Sequence, residues 1–148
     1  MSELRDQLVS ITMEWEKKYD IAPRITGSIS EYDAAMRIGL TEEEYSSQMQ
    51  TRTAVSKGHD FIYKSKKYQV KACRPSGKHG SKITWVKKPR NYDWDYFIWM
   101  QYNTDYTLKV FYKCNKKSFI DKFGLKNRLS PSDIQEGQKL FPNKLKVQ

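Results

Sequence analysis

Asp60, Gln69 and Lys71 are the residues of this chain whose types and spacing best suit chemistry. The apolar runs "HDFIY" and "KYQVKAC" flank the polar stretch "KSKK" and read as two strands of a β-hairpin. A turn centred near Ser65 then sets Asp60 opposite residues 69–71. Strand side chains alternate, so Gln69 and Lys71 share one face while Val70 and Ala72 take the other. An acid, an amide oxygen and an amine on one patch suit phosphodiester hydrolysis. The carboxylate and the amide oxygen can hold Mg²⁺, which accepts few protein ligands and keeps several waters. The cation polarises the scissile phosphate and acidifies a bound water. A neighbouring lysine neutralises developing charge or positions the nucleophile.

Immediately downstream, "RPSGKHGSK" concentrates positive charge in an adaptable loop. Arg74, Ser76, Lys78 and Lys82 are its expected phosphate contacts. The whole chain has the same bias: 27 Lys and Arg against 17 Asp and Glu give a net charge of +10 over 148 residues. That excess points to a polyanionic partner, with nucleic acid first. The 4 Trp, 10 Tyr and 6 Phe supply a core that a disordered basic tail lacks. No window is apolar enough to span a membrane, and the N-terminal stretch lacks a signal peptide's apolar centre. Cys73 and Cys114 form no paired motif, which excludes a zinc knuckle or finger and fits a reducing compartment. The expected location is cytoplasmic.

Positioning these residues requires a sheet with helices around it. Leu4, Leu8, Ile11 and Trp15 recur at helical spacing and predict an amphipathic helix over 2–18. Ser28 with Glu31 forms a capping-box pattern that opens a second helix, ended by Gly39; Thr41 with Glu44 opens a third over roughly 42–54. Glu31, Ala34, Ala35 and Ile38 fall on one face of the second helix, small enough to pack on a sheet. After the hairpin, residues 82–86, 95–102 and 107–114 read as strands. A short helix over 116–124 follows, and a last one opens at Ser130 and Pro131 and ends near Phe141. The expected fold is a single α+β (or α/β) domain over 1–148, with a mixed sheet of about five strands flanked by helices. Its parts are helical 1–57, hairpin and sheet 58–114, and helical 115–148. Two further sets of polar residues receive plainer readings: His59 and His79 as solvated loop residues, and Asp93 and Asp95 as flanks of an aromatic core strand.

The hairpin resembles the signature of the PD-(D/E)xK nuclease superfamily, the restriction-endonuclease-like fold. That signature is an acid, then a second acid one residue before a lysine; here Asp60 precedes Gln69, Val70 and Lys71. The similarity covers roughly residues 28–115. His59 precedes Asp60 in place of the signature's Pro, which is often absent in that family, and Gln69 replaces the second acid, as in the Mrr-type QxK variants. The resemblance implies a metal-dependent endodeoxyribonuclease of restriction or homing type, acting on double-stranded DNA with Mg²⁺ or Mn²⁺. It implies Asp60 as principal metal ligand, Gln69 as second ligand, Lys71 as the electrostatic and water-positioning group, and the helical Glu31 as an auxiliary ligand. By analogy it also implies a homo-oligomer, dimer or higher, since cutting both strands needs two sites. Two rival readings share the fold: a catalytically silent nucleic-acid-binding protein, of phage or defence origin, and a structure-selective repair nuclease or resolvase.

Overall fold

The computed structural model describes residues 2–52, 58–78, 80–83 and 85–133. Helices α1 (Glu3–Tyr19), α2 (Thr26–Ile38) and α3 (Glu42–Thr51) come first. Strands β1 (Phe61–Tyr63), β2 (Lys66–Cys73), β3 (Tyr96–Tyr102) and β4 (Leu108–Asn115) follow, then helix α4 (Lys116–Phe123). The fold is α+β, with a mixed sheet in the order β1-β2-β3-β4. Strands β2 and β3 run parallel, Val70 facing Ile98 and Lys71 facing Trp99, and the two outer pairings are antiparallel.

The alternation of β3 divides the core in two. Ile98, Met100 and Tyr102 pack with Tyr68, Val70, Ile29, Ala34 and Ala35 beneath the N-terminal helices. Phe97 and Trp99 point the other way, into a cluster with Trp94, Tyr112, Phe119 and Phe123 that α4 closes. This strand is covered on both faces, so its sequence is nearly all apolar. Ala34 and Ala35 have no exposed surface and let α2 lie close against the sheet.

Several local expectations change. The described residues hold four strands rather than about five, because the stretch 82–86 contributes only one antiparallel bridge, Val86 to Leu129. Val86 is a plug beside Phe123 and Leu129, and Trp85 beside it stays half exposed. Helix α2 begins at Thr26, so Ser28 lies inside its first turn and no side chain caps it at Ile25. Thr26 Oγ1 instead hydrogen-bonds Tyr106 Oη at 3.0 Å. Glu31 is thereby relieved of a capping duty. Thr41 and Glu44 do form the reciprocal capping box of α3. A helical turn begins at Pro131, and Ser130 and Asp133 exchange backbone-to-side-chain bonds there. The expected continuation to Phe141 lies outside the described residues, and the third helix ends at Thr51, with Arg52 already extended, short of the expected 54.

Helix α1 departs furthest. Its Leu4, Leu8, Ile11 and Trp15 stripe faces outward, while Thr12 is buried and Val9 and Met13 pack on the core. Arg5 explains the rotation. Its Nε and Nη2 donate to Asp33 Oδ1 and Oδ2 at 3.0 and 2.7 Å, and Tyr102 Oη donates to Asp33 Oδ2 at 2.7 Å. A buried carboxylate that needs a partner fixes which face of α1 turns inward.

Candidate functional site

The site begins with a tight turn. Lys64 and Ser65 both take positive φ, 49° and 64°, as a two-residue type I′ hairpin requires. The turn sets Phe61 opposite Tyr68 and stops the regular pairing there. Beyond it, Asp60 N–H donates to Tyr68 carbonyl at 2.7 Å. The Asp60 side chain then replaces the ladder: Oδ2 accepts from Val70 N–H at 2.7 Å and from Gln69 Nε2 at 2.9 Å. Because β1 is short, the edge of β2 is left to a side chain. Asp60 and Gln69 are both buried, 9% and 7% exposed.

Helix α2 delivers the second acid. Glu31 hydrogen-bonds Asp60, and each carboxyl is pushed above its ordinary range, chiefly by burial. For Glu31 the Asp60 charge adds to burial and the value reaches about 7; Arg52 and Lys71 oppose the rise. For Asp60 the Val70 N–H, Arg52 and Lys71 all favour the charged form. Glu31 therefore holds the proton that the pair retains near neutrality, and the two titrate as a unit. Lys71 is half-buried on β2, and its field reaches both acids.

The sequence offered no signal for one further participant. Arg52, at the end of α3, lies 3.9 Å from Glu31 Oε2 and 3.7 Å from Asp60 Oδ1. Its Nη1 and Nη2 also donate to the carbonyls of Asp60 and His59 at 3.3 and 3.2 Å. No motif marks it, because only the approach of α3 to the hairpin brings it there. His59 is not a solvated loop residue: it is half-buried, and its buried Nδ1 has no hydrogen-bond partner among the described residues. His79 lies outside them.

The two carboxylates supply oxygen ligands, which suit a hard divalent ion such as Mg²⁺, while Gln69 turns its Nε2 toward Asp60. Such an ion would relieve the repulsion that keeps a proton on Glu31. Among the described residues no group of three or more His, Cys, Asp or Glu is gathered to hold a metal. The candidate ligand set is thus Asp60, Glu31 and the Gln69 amide, with Arg52 supplying positive charge beside them.

The basic loop is divided in its duties. Arg74 does not stand free as a phosphate contact. Its side chain is only 5% exposed, and its two Nη atoms each donate to Glu16 at 3.0 Å. Its Nε donates to Thr104 carbonyl at 2.6 Å, and the guanidinium lies over the Tyr106 ring at 4.8 Å. This arginine ties the end of β2 to α1 and to the β3–β4 turn. Ser76 is exposed and shapes the loop, its N–H donating to Ser81 Oγ and its Oγ accepting from Lys78 N–H. Lys78 and Lys82 are exposed, and Lys78 makes an exposed ion pair with Asp20 at 3.6 Å.

Asp95 closes the sheet rather than a reaction centre, since its N–H and Oδ2 both bond the Lys67 backbone. A cleft of about 1020 Å³ lies between the α1–α2 connection and the basic loop and is lined by Glu16, Asp20, Arg24, Cys73, Arg74 and Lys78 among others. None of Glu31, Asp60, Gln69 or Lys71 lines it. No helix among the described residues is long and apolar enough to cross a membrane. No protein-family model matches the chain, and no curated protein matches it significantly.

Proposed function

We propose that the chain is a metal-dependent endodeoxyribonuclease of the PD-(D/E)xK type, cutting double-stranded DNA in the manner of a restriction or homing endonuclease. One observation carries the reading: buried Asp60 from the hairpin and half-buried Glu31 from α2 meet within the field of Lys71 and hold a proton that a cation would displace. A divalent ion bound there supplies Lewis-acid polarisation of the phosphate and acidification of water. Asp60 would hold it as the principal anion, with deprotonated Glu31 beside it; the Gln69 amide, whose Nε2 donates to Asp60, would offer its oxygen only on turning over. Lys71 steadies negative charge on the phosphate, and Lys78 and Lys82 hold the DNA backbone. The deciding experiment is plasmid DNA treated with purified protein and Mg²⁺ or Mn²⁺. Nicking or linearisation that stops with EDTA supports the proposal, and protein that binds duplex DNA yet never cuts it overturns it.

Arg52 favours a second reading. A guanidinium against both carboxylates, together with the Gln69 amide donating to Asp60, already supplies much of what a metal would. On that reading the pair is a structural lock and the protein binds nucleic acid without cleaving it. Arg52→Ala separates the two. It raises the affinity for Mg²⁺ if Arg52 competes with the ion, and only destabilises the protein if the pair is a lock.

A further inference from the structure

The outward face of α1 has the pattern of an interface. Leu4, Leu8, Ile11 and Trp15 recur at intervals of four, three and four, the a/d spacing of a coiled-coil seam. Yet they are 75%, 39%, 62% and 50% exposed, and Tyr19 at the end of the same stripe is 52% exposed. The helix does not need this face to dock on its own domain. Val9, Thr12 and Met13 pack inward, and Arg5 and Glu16 are held by Asp33 and Arg74.

With roughly 200 Å² for an aliphatic residue and about 250 Å² for an aromatic one, the stripe exposes about 600 Å². That lies at the upper end of what a soluble monomer leaves open, about 300–600 Å². Without Tyr19, which lies beyond the partner helix, the four seam residues of two copies bury about 950 Å² against each other, the size of a weak, reversible interface.

Charge selects both the occupant and its direction. The first turn of α1 is acidic, with Glu3 and Asp6, and the last is basic, with Lys17 and Lys18. A parallel pair would set like charges and like helix ends together. An antiparallel pair opposes the helix dipoles and brings Glu3 of one copy toward Lys18 of the other, the two of these charges that flank the stripe. We propose that α1 is a dimerisation helix: two copies of this chain pair antiparallel through the Leu4, Leu8, Ile11 and Trp15 stripe, about a two-fold axis between Leu8 and Ile11. Leu4 then faces the partner copy's Trp15 position, and Leu8 faces its Ile11 position. This pairing is independent of the nuclease reading, because none of the site residues lies on α1.

The test is sedimentation of the full chain from about 1 to 100 µM, where an interface of this size dissociates. Wild type is expected to dimerise. Ile11→Asp sets two charges near the axis and should weaken dimerisation roughly a hundredfold. Its circular dichroism should be unchanged, since Ile11 supports no core. Mixing Leu4→Cys with Trp15→Cys chains under mild oxidation should give a disulfide between the two, with wild type as the control for Cys73. A wild type that stays monomeric overturns the proposal, and so does an Ile11→Asp chain that dimerises like wild type. A monomer whose Trp15 is nonetheless shielded from quencher gives the stripe to another segment of the same chain, which also overturns it. Leu4→Cys chains cross-linking to themselves overturn the antiparallel arrangement.

Discussion

Glu31 and Asp60 stand close enough to share a proton, and this gives the site a signature in pH. The ordinary value for Glu31 is 4.5 and its folded value is about 7. Below the lower value both folded and unfolded chains keep the proton. Between the two, the unfolded chain releases it first, so folding stability falls as pH rises from about 4.5 to 7. The loss is on the order of 1–3 kcal/mol, reduced from the full linkage value because part of Glu31 meets solvent. Urea melts at pH 5 and pH 8 should show that decline in wild type and a much shallower one in Glu31→Gln. Added Mg²⁺ should stabilise the protein more at pH 8 than at pH 5, since the ion needs the deprotonated carboxylate. Chemistry at the same residues gives a second expectation. Asp60→Ala and Lys71→Ala should each lose at least about a hundredfold in Mg²⁺-dependent cleavage, while DNA binding is retained. A gel-shift beside a plasmid assay reads both quantities; cleavage at the wild-type rate in either variant would place the reaction elsewhere.

At the scale of elements, the hairpin turn and Arg74 do the positioning. Lys64 and Ser65 adopt a left-handed backbone that L-residues accept at a cost of about 1–2 kcal/mol each. Ser65→Gly removes that cost but loosens the unfolded chain, so a net gain of about 0.5–1 kcal/mol is expected. A higher urea midpoint at unchanged slope would register it. Arg74 shows how a loop cation becomes structural. Its removal leaves Glu16 half-buried without its partner and loosens α1 from the end of β2. Arg74→Ala should cost about 3 kcal/mol in stability yet leave the salt dependence of DNA binding in place. A cation that touched phosphate would show the reverse.

For the molecule as a whole, the question is what a net charge of +10 is for. Each lysine that neutralises a DNA phosphate releases condensed counterions and contributes about 0.9 to the slope of log affinity against log salt. Lys78 and Lys82 are exposed on the basic loop. Their double replacement by Ala should flatten that slope by about two units and weaken all duplex sequences alike. Binding measured with Ca²⁺ in place of Mg²⁺, on matched and scrambled duplexes, decides the matter. An unchanged slope would move the DNA to another face.

The sequence by itself determined what depends on near neighbours. Alternation on β2, the turn between Tyr63 and Lys66, the Thr41 capping box and the aromatic core strand are all set within a few residues, where period and local hydrogen bonding decide conformation. The pairing of Asp60 with residues 69–70 followed from the hairpin for the same reason. Only the tertiary structure decided which face of α1 turns inward, because that depends on Arg5 finding Asp33 on another helix. Likewise, it alone turned Arg74 into a buried tie and brought Arg52 against two acids. Periodicity records that a residue is apolar or charged. Which partner a charge finds once water is excluded depends on how distant elements pack, and no local spacing encodes that.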